Sequence, residues 1–155
     1  MRRPTTRRLV HVSLSIIGVS IIGFALGAIF YWPSQFVLGD SAGHNVTAGN
    51  PIQGNVTSPP LPTWIVLALC AFFARGRHWV GVVAVVVLGL LGVVIINGAL
   101  GEIYTPPSPF VPRAVLIATG VVYGLLGLAL LLSSIADLVD RVRARRPRRP
   151  PRTAL

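Results

Sequence analysis

Lysine is absent from this chain, cysteine occurs once, and acidic residues number only four in 155. Each scarcity removes a class of chemistry. The single thiol, Cys70, has no intrachain disulfide partner and no C-x-x-C mate for redox or metal work, so inside its apolar run it reads as a small filler. No H-E-x-x-H, G-x-S-x-G or phosphate-binding glycine loop is present, which leaves no nucleophile, acid/base or metal motif on which to build an enzyme or a cofactor site. Charged residues amount to 12%, against roughly 25% in an ordinary soluble domain, while hydrophobic residues reach 53% and the mean hydropathy is +0.72. A bilayer is the solvent that fits these numbers. Nothing physical forbids lysine beside a membrane, so its absence points to the base composition of a GC-rich bacterial genome.

What is present is arginine, fourteen times, and thirteen of these residues lie in three short segments that flank apolar runs. A net charge of +10 spread over a surface would suggest nucleic acid; placed this way it is a topology signal, and nucleic acid ranks behind anionic lipid and acidic protein as a partner. Four apolar runs carry no formal charge. Leu9–Trp32 has 24 residues, and Trp79–Gly101 and Ala114–Ala136 have 23 each; at ~1.5 Å per residue all three exceed a hydrocarbon core of ~30 Å. Leu61–Ala74 has 14 and reaches only ~21 Å, a span that Arg75 and Arg77 complete by snorkelling to lipid phosphates.

The predicted fold is therefore an all-α membrane protein, a four-transmembrane-helix bundle with a turn-rich external loop between helices 1 and 2. Spans are expected at 9–32, 61–75, 79–101 and 114–136, after a basic N-terminus at 1–8. External loops are expected at 33–60 and 102–113. A tail at 137–155 carries on the fourth helix until Pro147, Pro150 and Pro151 end it. Basic flanks resist translocation, and four crossings bring all thirteen flanking arginines to one side, so both termini are expected in the cytoplasm and the protein in a bacterial inner membrane. Trp32, Trp64 and Trp79 all fall at expected boundaries, where amphipathic rings prefer to sit. The first run resembles a signal peptide at its basic start, but it outlasts the 7–15 residues of such a segment and ends in Tyr31 and Trp32, which makes it an anchor.

Close helix approach in lipid needs small residues, and two G-x-x-x-G pairs offer it: Gly23 with Gly27, and Gly120 with Gly124. Ser13, Ser20 and Gly27 recur at seven-residue spacing on one face of the first helix. A candidate polar external site gathers Asp40, His44, Asn97 and Glu102. Among these, Glu102 is expected to be a boundary residue that meets water just after Gly101, and Asn97 to find an interhelical partner such as Ser34, Thr105 or Thr119. Anionic headgroups are expected at Arg75, Arg77, Arg141, Arg143, Arg145, Arg146, Arg148 and Arg149, each worth ~1 kcal/mol near a charged leaflet. A coupled transporter needs an ionisable group within the membrane, and none is expected between these span boundaries. The class that remains is a structural or accessory bundle that binds a membrane protein, a second copy of itself, or anionic lipid. An oligomeric channel or small-solute transporter comes next, then an enzyme with an external site.

Overall fold

The computed structural model describes residues 4–30, 32, 57–76, 78–104 and 111–145. Among them the architecture is all-helical: α1 (Pro4–Ile29), α2 (Leu61–Phe73), α3 (Trp79–Tyr104) and α4 (Arg113–Arg145). α1, α3 and α4 are long and apolar enough to cross a membrane. Of the expected external loops, 33–56 and 105–110 lie outside the described residues.

Prolines set three of the four helix starts. Pro4 opens α1, Pro60 caps α2 in extended geometry with Pro62 in its first turn, and Pro112 precedes α4. A first-turn proline sacrifices only an amide that has no partner within the helix, and its fixed φ favours the start. α2 stops at Phe73, where the Ala74 and Gly76 amides donate to the Cys70 and Phe73 carbonyls at 2.8 and 2.9 Å and the chain turns toward α3. Its 13 residues reach ~20 Å, less than the expected 61–75 segment. α3, by contrast, runs three residues past Gly101 to Tyr104 and takes Glu102 into the helix.

Packing follows a seven-residue rhythm. On α1 the buried positions include Thr6, Leu9, Ser13, Ile16, Ser20, Gly23 and Gly27, stepping by three and four along one seam. On α4 the buried series is Leu116, Gly120, Tyr123, Gly127, Leu130, Ser134, Asp137 and Arg141, with the same steps. A 3.5-residue repeat keeps one narrow stripe against its neighbours, as in a coiled coil. α4 packs most extensively on α3 and then on α1, while α2 bridges α1 and α3, so the four helices close a ring. Its interior is filled by the fully buried Leu9, Ile16, Leu67, Val85, Leu88 and Leu130.

The α3–α4 contact is backbone on backbone. A Cβ placed on Gly92 would stand 2.8 Å from the Gly127 carbonyl oxygen, and one on Gly127 would stand 2.9 Å from that of Gly92. Gly120 of the expected pair also meets α3, 2.8 Å from the Ala99 oxygen by the same construction, whereas Gly124 has ordinary space, with Ala99 Cβ at 3.7 Å. Gly23 faces the Thr57 carbonyl, too closely for any side chain, and Gly27 is buried, its carbonyl accepting from the Trp32 amide at 2.9 Å.

Candidate functional site

The two ends of the ring carry different chemistry. At one end Asp137, fully buried, accepts hydrogen bonds at Oδ1 from the hydroxyls of Thr5 at 3.1 Å and Thr6 at 2.5 Å. Its Oδ2 receives Arg141 Nε at 2.5 Å, one helical turn further along α4. The same guanidinium donates from Nη1 to the Gly76 carbonyl at 3.0 Å and from Nη2 to the Ala74 carbonyl at 2.5 Å. Those carbonyls belong to the C-cap of α2 and the turn just beyond it, near the helix end whose dipole favours a cation. Gly81, at the start of α3, leaves the room: a Cβ there would sit 3.0 Å from Arg141 Nη1. One ion pair thus joins the beginning of α1, the end of α2 and the far turn of α4.

Arg141 was expected at the headgroups and is instead buried in this clamp, because it continues the α4 seam that includes Leu130, Ser134 and Asp137. Arg75 and Arg143 are exposed at the same end, as are Arg7 and Arg8. Arg77, Arg146, Arg148 and Arg149 lie outside the described residues, and of Arg145 only the helical backbone is described. Nε, Nη1 and Nη2 of Arg141 and both oxygens of Asp137 each bond to the protein itself, which ties these helix ends together.

At the opposite end the segment before α2 straps the bundle. Thr57 Oγ1 donates to the Gly23 carbonyl at 2.7 Å, and the Tyr123 hydroxyl stands 3.1 Å from both the Thr57 carbonyl and Ser20 Oγ, one proton serving two acceptors. Thr57 and Ser58 are buried by this arrangement, and Trp32, Val111 and Leu116 form a small apolar cluster at this end.

Beside the strap lies a cleft of about 280 Å³. Pro60 and Thr63 bound it from α2, Ile95, Gly98 and Glu102 from α3, and Tyr123 from α4. The expectation that Glu102 simply meets water is corrected here. Three residues after Ala99 on a continuing helix, Glu102 turns toward the packed side, and its Oε2 is buried with no hydrogen-bond partner among the described residues. A buried carboxyl oxygen left in this condition is costly, because it has given up its hydrogen bonds to water.

Asn97 also departs from expectation. It is exposed, on the α3 stripe shared with Leu90, Val94 and Leu100, about 200° around the helix from the buried Ala99. Thr119, a suggested partner, donates instead to the Val115 carbonyl of its own helix at 2.6 Å. Asp40, His44, Ser34 and Thr105 lie outside the described residues, so of the expected external site Glu102 alone is seen lining the cleft.

Sequence patterns missed the clamp and the cleft for different reasons. The α4 seam, extended by its own three-and-four rhythm, points to Asp137 and Arg141 as inward residues; no comparable signal in the sequence announces the Thr57 strap or the cleft. The chain matches no known protein family, no curated protein and no solved structure.

Proposed function

We propose that this chain is a multi-pass protein of a bacterial inner membrane that serves a structural or accessory role, without catalysis, by docking against another membrane protein. The observation that carries the proposal is Asn97. An amide exposed on an otherwise apolar helix face, seven residues or ~10 Å from the end of α3, faces hydrocarbon in the isolated chain and gains an interhelical hydrogen bond of ~1 kcal/mol when a second helix covers it. Gly98 and Gly101 beside it have open space at their Cβ positions, so a partner backbone can come close.

Support for both termini sharing the cytoplasm comes from the clamp, which gathers the starts of α1 and α3, the end of α2 and the end of α4 at the arginine-rich end. That end carries the exposed Arg7, Arg8, Arg75 and Arg143 toward anionic headgroups, and the α2 crossing is completed by its arginine flank. An oligomeric channel or transporter is the weaker reading, because Ile16, Leu67, Leu88 and Leu130 fill the ring between its two polar ends.

A photoreactive amino acid at position 97, activated in native membranes, tests the proposal. Protein adducts, to another chain or to a second copy, are expected at this position and not at the lipid-facing control position 125. Lipid adducts alone at position 97 would overturn it.

A further inference from the structure

We propose that the outer cleft binds an ammonium group carried on an apolar body, with Glu102 as its counter-ion. The walls define the ligand. Pro60 and Ile95 supply apolar walls, Tyr123 is the aromatic residue of the lining, and Glu102 supplies a buried carboxylate oxygen without a hydrogen-bond partner among the described residues. An aromatic face beside a carboxylate is the chemistry that holds organic cations. A hard divalent ion fits poorly, since it asks for six or more oxygen ligands. Only Thr63 adds a further side-chain oxygen to the lining, because the Tyr123 hydroxyl is engaged with Ser20 and Thr57.

The cleft opens sideways. Gly98 is exposed, and a Cβ built on it meets nothing within 4 Å, while Val94, one turn further in, is 64% exposed. A ligand therefore enters from the surface between α2 and α3, with its ammonium toward Glu102 and its apolar part along α3. The cleft is close to the lower end of ligand-site volumes, roughly 300 Å³, and admits a headgroup or a short amphiphile. It is a terminal site, not a stage on a path, for the apolar layer of Leu88 and Leu130 separates it from the clamp.

Two sources share this chemistry, the amine of a phosphatidylethanolamine headgroup and a soluble amphiphilic amine. The full chain in neutral maltoside micelles is titrated with decylammonium and with decanol, and separately equilibrated with equal phosphatidylethanolamine and phosphatidylglycerol for native mass spectrometry. Binding of decylammonium well above decanol is expected. Glu102→Gln should weaken it roughly tenfold or more, as the loss of a buried charge partner does. Gly98→Phe, which fills the mouth and keeps the carboxylate, should weaken it similarly, with unchanged helical circular dichroism and melting for both variants. Enrichment of phosphatidylethanolamine adducts that disappears in Glu102→Gln assigns the lipid source; decylammonium binding without such enrichment assigns the soluble one. If decanol binds as well as decylammonium, or if the Glu102→Gln chain binds the amine like the parent, the proposal is wrong. Crosslinking at position 97 reads a protein contact and the titration reads the amine, so each test can fail by itself although Val94 and Gly98 border both surfaces.

Discussion

Asp137 and Arg141 occupy successive turns of α4 with 2.5 Å between Oδ2 and Nε, and among the described residues their other side-chain hydrogen bonds go to α1 and to the turn after α2. The pair is local in sequence and long-range in effect. Its carboxylate holds residues 131 and 132 positions away, and its guanidinium holds carbonyls 65 and 67 positions away. Desolvating two charges offsets much of their attraction, so the pair contributes less as net stability than as a specification of which helix ends meet.

The first prediction follows from that asymmetry. Arg141→Leu leaves Asp137 buried without its cation, and Asp137→Leu leaves the guanidinium without its anion. Each should destabilise the fold by about 3–5 kcal/mol, whereas the Asp137→Leu/Arg141→Met double variant should recover a large part of the loss. Thermal melting followed by circular dichroism in micelles measures all three. Additive losses in the double variant would show that the two side chains are not coupled.

The α3–α4 seam yields a second prediction with an internal control. Gly92→Val and Gly127→Val each push a branched side chain into a backbone carbonyl at under 3 Å, an overpacking penalty of about 1–3 kcal/mol or more because backbone cannot yield as a side chain does. Gly124→Ala meets only Ala99 Cβ at 3.7 Å and should leave the melting temperature nearly unchanged. Equal effects at 92 and 124 would count against the close crossing.

Much of this architecture was readable beforehand, and what was not has physical causes. Apolar runs predict the helices, since length in lipid is a local property. Three of those helices are long and apolar enough to cross a membrane. Hydropathy failed at Glu102, because a helix ends where its backbone is capped and not where its first charge appears, and α3 continues to Tyr104. It also assigned Arg141 to lipid by its neighbours in sequence, although the repeat from Leu116 to Ser134 already places 137 and 141 on the inner stripe. The Thr57 strap depends on a loop returning over Gly23, a tertiary event that no window of sequence contains.

That strap can be probed directly. Tyr123→Phe keeps the ring and removes the hydroxyl, which leaves the buried Thr57 carbonyl and Ser20 Oγ without that contact. A loss near ~1 kcal/mol is expected, the scale of hydrogen bonds measured inside membranes. Hydrogen exchange should rise at the Thr57 and Ser58 amides more than in the clamp residues 74–76. Uniform exchange across both segments would indicate that the strap is not held by Tyr123.

The last contrast is between the exposed arginines at the clamp end and the buried Arg141. Arg75 and Arg143 are exposed at the clamp end, so Arg75→Gln and Arg143→Gln should each weaken the preference of the full chain for phosphatidylglycerol in mixed micelles by ~1 kcal/mol, an effect that fades at high salt, with little change in melting temperature. Arg141→Gln should do the reverse, lowering the melting temperature strongly while changing lipid affinity only as far as the fold is lost, because its guanidinium is buried and bonded to Asp137, Ala74 and Gly76. Vesicle binding of a C-terminal soluble fragment cannot supply this comparison, since Arg141 is buried only when α1 and α2 are present; the full chain reconstituted in mixed micelles of neutral and anionic lipid is required. Should Arg141→Gln weaken lipid binding as much as Arg143→Gln while melting at the parent temperature, the guanidinium would have to face the headgroups, and the clamp could not be what joins the three helix ends.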